Sequence, residues 1–430
     1  MSIFWGRRAR RKFGGALRQG QDIFKEQNNR PLQNPAESPK LSLMVFDRAS
    51  FASAVKTLAS KNVFIGTSSW KYSGWAGQIY DETRYEYRGK FAETRFNRAC
   101  LAEYAETFKT VCVDAAYYKF PDRRYLEGMV SQVPEDFRFA FKVTDEITLK
   151  RFTNLPRHGL RAGKPNENFL NADLFATAFI KPCEEFRKNV GLLMFEFSHF
   201  YPSDFARGRD FVAALDQFLG KLPPGWPYGV EMRNRFFLHP EYFAMLRKHG
   251  VAHIYNSWTD MPSVKDQMKM PESRTPTDLI GARFLLRPGR KYEDGVKAFS
   301  PYAETKEKNE DARAAGSALI EQSVKASPKR GAYIFVNNRL EGNAPTTILS
   351  MVERAGAYEP PDRARFSNKT TFRALPMGSR FLFHGRVYLK EGLSMTQDAE
   401  NNGAIFMDEA EVEAEEPGEP KPQPGLEIRG

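Results

Sequence analysis

Gly66-Thr67-Ser68-Ser69-Trp70-Lys71-Tyr72-Ser73-Gly74-Trp75 follows directly on the apolar run Val63 to Ile65. An apolar strand thus empties into a small polar turn flanked by two tryptophans, the local pattern of a strand end that opens onto a site. Gly and Ser also favour turns for backbone reasons alone, so the reading depends on what surrounds the stretch. Seven later segments repeat its plan, a short apolar run that ends in a polar or charged residue and leads into a helical pattern. They are Thr110 to Asp114, Phe137 to Val143, Gly191 to Phe197, Tyr228 to Arg233, Val251 to Asn256, Ile280 to Leu286 and Ala332 to Asn338. Helical patterns lie between them, including Asn97 to Phe108, Ala172 to Asn189, Gly208 to Leu219, Pro240 to His249 and Thr305 to Ala326. Alternating strands and helices place the chain in the α/β class, with a parallel sheet covered by helices. Eight such units in about 300 residues predict a closed (β/α)8 TIM barrel, with an open doubly wound sheet as the alternative.

The 430 residues, 41% of them hydrophobic and 35 of them phenylalanine, suffice for one large core and a second module. No apolar run approaches the roughly 20 residues that span a bilayer. The basic start, Arg7-Arg8-Ala9-Arg10-Arg11-Lys12, is not followed by a signal-like apolar region, because Phe13 to Phe24 is broken by Gly, Gln and Asp. Cys100, Cys112 and Cys183 are far apart and form no CxxC pair, which suggests neither a disulfide framework nor a zinc knuckle. A cytoplasmic protein is expected. The net charge of +11 is compatible with attraction to nucleic acid, phosphorylated ligands or an anionic membrane surface.

That charge is unevenly spread. The first 40 residues carry nine Lys or Arg against three acids, whereas Asp408 to Glu419 carries seven acids and no base. Residues 1–45 read as a basic, disordered arm, with Ser38 to Val45 as its connection to the body. It is either a solubilising tail or, through Phe4, Trp5 and Arg7 to Lys12, a tether to a polyanion such as nucleic acid. Residues 46–358 hold the barrel, and Pro360-Pro361-Asp362 marks a linker. Residues 366–408 predict a small β module with strands at Arg380 to Phe383, Arg386 to Lys390 and Ala404 to Met407, the first two joined by the turn-like His384-Gly385. The Pro- and Glu-rich stretch 409–430 reads as a disordered tail. No feature bears on the oligomeric state.

Strand alternation says which side chains can meet. In a barrel, residues of one parity point inward, and those at the C-terminal strand ends line the site. Gly229, Glu231 and Arg233 share a face, and the polar face is the inner one. Phe137, Phe139, Phe141 and Val143 form the greasy side of the third strand, which turns Ala140 and Lys142 inward. Cys112 pairs in parity with Asp114, and Met194 with Glu196. The upper rim then gathers Ser69, Asp114, Lys142, Glu196, Glu231, Arg233 and Asn337, with Asn338 beside them.

Glu231, Glu196, Asp114 and Lys142 are the candidate catalytic groups, able to act as general acid and base. Ser69, Trp70, Trp75, Arg233, Asn337 and Asn338 are the candidate ligand contacts, and the carboxylates are compatible with a hard divalent metal as cofactor. The same groups could instead form a structural ion network that never touches a ligand. His199 and His253 could add a base or serve only packing. Trp70 and Trp75 could stack on a ring or pack as lids on the core.

These residues resemble a known family. Gly66-Thr67-Ser68-Ser69-Trp70 with Gly74-Trp75 and Tyr80, then Leu101 to Phe108 leading to Tyr117-Tyr118 and Pro121, then Pro134 to Phe139 with Lys142 and Ile147-Thr148, resemble in order the YecE-like barrel proteins, a domain family of unknown function. Glu231-Met232-Arg233 and Tyr333 to Asn338 look like its later motifs, so the resemblance covers about Val63 to Val352. It implies a TIM barrel and no established reaction. Three departures stand out. The family's second strand usually reads Val-Glu-Ile-Asn, whereas here Val111-Cys112-Val113-Asp114 moves the carboxylate two residues up the same face. The fourth strand gains Glu196 and His199. Leu286-Arg287-Pro288-Gly289 lacks the histidine of the usual Arg-x-His-Gly end of the seventh strand. The expected function is an enzyme of hydrolase or isomerase type acting on a small polar or phosphorylated ligand. The alternative is a non-catalytic nucleotide or nucleic-acid binding protein that uses the cationic rim and the basic arm.

Overall fold

The structure, a computed structural model, describes residues 46–275, 278–327, 331–358, 366, 368–383, 386–398 and 403–415. The basic arm with Ser38 to Val45, the linker at Pro360 to Asp362, the His384-Gly385 turn and the tail beyond residue 415 lie outside the described residues. Eight parallel strands follow one another around a closed barrel. They are β1 (Val63–Thr67), β2 (Thr110–Val113), β3 (Arg138–Lys142), β4 (Val190–Phe197), β5 (Tyr228–Met232), β6 (Ala252–Asn256), β7 (Leu279–Phe284) and β8 (Gly331–Val336). The open doubly wound sheet is thereby excluded. Asp114, Arg233 and Asn337 stand one residue beyond the strands that were expected to include them. Arg233 and Asn337 still donate their backbone N–H groups to Phe197 and Phe284 of the neighbouring strands, while Asp114 opens a short 3-10 turn.

Strand parity divides the apolar residues into two cores. Phe64, Cys112, Ala140, Leu192, Met194, Ala252, Ile254, Tyr333 and Phe335 fill the barrel interior, while the alternate residues, such as Val111, Phe139, Phe141, Phe195 and Val230, pack outward against the helices. Helix α1 (Arg48–Ser60) precedes β1, α2 (Glu93–Thr107) follows β1, and α3 (Arg123–Val130) follows β2. Asp47 and Asp122 cap α1 and α3 by accepting backbone N–H bonds at their first turns.

The seam between β1 and β2 closes the barrel through the single residue pair Thr67 and Val111. Gly66 is required there, since a Cβ would lie 2.2 Å from the backbone oxygen of Thr110. The buried hydroxyl of Tyr104, carried on α2, bridges the gap: it accepts from the Thr67 N–H at 3.1 Å and donates to the Thr110 carbonyl at 3.0 Å.

After the barrel come β9 (Asn368–Thr371), β10 (Arg380–Phe383), β11 (Arg386–Lys390), β12 (Met395–Asp398), β13 (Gly403–Ile405) and β14 (Glu411–Ala414), in one antiparallel sheet of order β9-β14-β10-β11-β12-β13. Six strands replace the three expected. The last of them corrects the disordered reading of residues 411–414: Val412 is buried with Phe372, Phe381 and Phe406, so an alternating strand pattern was hidden beneath an acidic composition. The ammonium of the buried Lys390 donates to the carbonyls of Phe372 and Leu375, each at 2.8 Å, and fastens the turn after β9 to β11. Among the described residues no helix is long and apolar enough to cross a membrane.

Candidate functional site

Glu196 and Glu231 are register partners on β4 and β5, so two carboxylates project side by side into the top of the barrel. Desolvated and alone they would repel one another. Cations from three strands prevent this. Arg233 turns back over its own strand and donates from Nε to Glu231 at 2.8 Å and from Nη2 to Glu196 at 2.5 Å. Lys142 holds Nζ 2.6 Å from the same Glu196 oxygen and 3.6 Å from the centre of the Tyr117 ring.

The third cation, Arg283, was not among the expected residues. It is buried on β7, donates from Nη1 to Glu231 at 2.9 Å and to Glu196 at 3.3 Å, and from Nη2 to Asp114 at 3.0 Å. It therefore joins all three carboxylates. The parity rule covers it, because Gly281 and Arg283 share the inward face of β7. The strand ends at Phe284, two residues short of the Leu286 expected, and Arg287 lies on the loop beyond, half exposed and 3.6 Å from Glu307.

The network sets three carboxylates against three cations, and its members differ in access. The side chains of Glu196 and Glu231 are 2% and 0% exposed, that of Asp114 is 32% exposed. Burial alone would raise the Glu231 carboxyl, but Arg283 and Arg233 outweigh it and hold the group down at about 2. Burial works against the Arg283 charge too, yet Glu231 and the neighbouring acidic groups keep this guanidinium well above its ordinary value. Beneath Asp114 sits Cys112, 3.7 Å from its Oδ1, and burial pushes that thiol far up despite Arg283. Asp114 Oδ2 has no hydrogen-bond partner among the described residues.

The remaining expected residues divide by location. Ser69 and Trp70 line a cleft of about 540 Å³ that reaches Asp114, and Ser69 has φ +96°, a conformation that L-residues seldom adopt. Trp75 is fully buried and donates from Nε1 to Asn338 Oδ1 at 3.1 Å. A ring with no exposed face offers no stacking platform, so its place is in the core. Asn338 also accepts from the Ala344 N–H at 2.8 Å and anchors the helix that starts there. Asn337 accepts from the Arg339 N–H at 3.0 Å and steadies the loop after β8. His199 is exposed, 3.3 Å from Asn234. His253 is buried on the outward face of β6 against Tyr242 and Gln267, away from the network, and burial lowers it to about 4.

Around the mouth run stacked cations and rings that were also not anticipated: Arg233 lies 3.8 Å from the centre of the Trp258 ring, Arg339 4.3 Å from Tyr292 and Arg157 4.9 Å from Tyr118. Contacts of this kind fix guanidinium planes against aromatic faces. A divalent ion at the mouth would have to displace a cation, since every carboxylate there already has one. Among the described residues no three His, Cys, Asp or Glu side chains are arranged to hold a metal.

Comparison with known proteins shows the family. The protein of unknown function DUF72 matches residues 64–369. Among solved structures, a DUF72 family protein (EF0366) from Enterococcus faecalis V583 is 18% identical, over 68% of this chain and 95% of that one, with a TM-score of 0.46. Another (TM1631), from Thermotoga maritima MSB8, is 21% identical over 68% of this chain and 98% of that one, with a TM-score of 0.45. No curated protein matches the chain. With the match running from β1 across the whole barrel, the chain belongs to the DUF72 family.

Proposed function

We propose that the barrel mouth binds a small anionic ligand and acts on it by proton transfer, with Asp114 as the group that meets the reacting atom. The observation that carries this reading is the difference in access: of the three networked carboxylates, Asp114 alone has a substantially exposed side chain. Glu196 and Glu231 then serve as positioning residues, holding Arg283 so that its guanidinium backs Asp114 from below. Lys142 and Arg233 hold the Glu196 carboxylate in place. Such preorganised charge suits hydrolysis or isomerisation, in which a proton leaves water or carbon.

The test is to incubate the full chain with a pooled metabolite extract and follow mass changes. Asp114→Asn should fold normally, keep the ligand and lose turnover by about 100-fold or more. Capture of a ligand without conversion by the unaltered protein would sink the catalytic reading.

That last outcome belongs to the second reading, a non-catalytic binder of nucleotides or nucleic acid, which the stacked pairs Arg233–Trp258 and Arg339–Tyr292 favour. Arg7 to Lys12 supply five cations in six residues for the same role. If all five contact phosphates, log affinity should fall against log salt with a slope of roughly 3.5 on single strands and 4.5 on duplex. A chain starting at Ser38 that binds as tightly as the full chain at low salt would show that the arm takes no part.

A further inference from the structure

The cleft of about 540 Å³ that ends at Asp114 runs between α2 and α3, outside the strand ends. Leu101, Tyr125 and Met129 give it an apolar floor. Lys71, Arg98 and Arg124 line it as well, all three exposed, and none has a carboxylate partner within 4 Å among the described residues. Its two acids are already engaged. Asp122 caps α3 at the Tyr125 N–H and pairs with Lys119 at 3.2 Å, and Asp114 pairs with Arg283. The cleft thus carries surplus positive charge in a concave site of small-molecule size. Ser69, in its strained conformation, sits on the same wall, and strain of this kind gathers at ligand sites.

We infer that this cleft is the phosphate subsite of the ligand, with Arg98, Arg124 and Lys71 holding the phosphate of a phosphate ester while its organic part crosses Ser69 to Asp114. The inference rests on the mouth being an anion site and adds where the anion goes. Charge selects phosphate over carboxylate. Three cations exceed what one carboxylate neutralises and suit a phosphate monoester, which carries about two negative charges. The flat guanidinium forks also match phosphate oxygens in pairs. The apolar floor leaves room for a carbon skeleton beyond the phosphate.

Calorimetric titration of the full chain with inorganic phosphate and pyrophosphate at low salt tests this. All the substitutions are at polar, solvent-reached positions, and unchanged melting temperatures establish that the variants are folded. Arg98→Gln with Arg124→Gln should weaken pyrophosphate at least about tenfold, while Arg339→Gln, on the loop after β8 and outside the lining of the cleft, should leave it within about twofold. The reverse pattern would overturn the cleft and keep the anion at the mouth. No binding by the unaltered protein to millimolar pyrophosphate, or equal binding by all variants, would also overturn the cleft. The proton-transfer reading then stands or falls separately on Asp114→Asn turnover.

Discussion

Arg283→Met should cost the protein about 3 to 5 kcal/mol of folding stability, a larger loss than any other substitution at the mouth. The side chain keeps its volume, but Glu196, Glu231 and Asp114 each lose a hydrogen-bonded cation, and the first two are shut off from water. Arg283→Lys should restore only part of the loss, because one compact ammonium cannot take the place of a fork that reaches three carboxylates. Chemical denaturation reads this directly. A midpoint unchanged by Arg283→Met would mean that the network contributes nothing to folding and that its charges are held for another purpose.

Glu231→Gln should be the second most costly change and should alter the response to acid. Folding lowers this carboxyl from 4.5 to about 2. A group depressed in this way stabilises the fold above its unfolded value, and the contribution is lost as the pH falls through the folded value. The stabilisation is therefore complete above pH 4.5 and drains away towards pH 2, amounting to about 3 kcal/mol. Stability measured across that window should fall more steeply in the unaltered protein than in the glutamine variant, and the two curves should converge at the acid end. Parallel curves would show that Glu231 is not held down by its neighbours. A folded glutamine variant of normal stability but without activity would return Glu231 to the catalytic group.

The barrel was legible because its two periods are plain in the chain: alternation within strands such as Phe137 to Val143, and alternation of strands with helices along 300-odd residues. Much of the mouth was legible for the same reason, since parity alone turned Lys142, Glu196 and Glu231 inward. Arg283 escaped although the rule covers it, because it is a lone charge inside the otherwise apolar run Ile280 to Leu286. His253 falls under the same rule, its neighbours Ala252 and Ile254 being the inward pair. Trp75 was beyond reach. Whether an indole N–H faces a ligand or finds a buried acceptor depends on Asn338, 263 positions later. The strand at Glu411 to Ala414 was masked because its apolar alternation is only Val412 and Ala414, faint among glutamates.

The seam between β1 and β2 has one further consequence for how the molecule breathes. Seven of the eight neighbouring strand pairs are joined by two or more residue pairs, and this one by a single pair with a tyrosine hydroxyl beside it. Excursions that stop short of unfolding should therefore begin here, and the amides near Thr67 should exchange with deuterated water sooner than those in the middle of β4. Ser69 and Asp114 stand on either side of this line. The most sparsely paired joint of the barrel is thus the one beside which the candidate cleft opens.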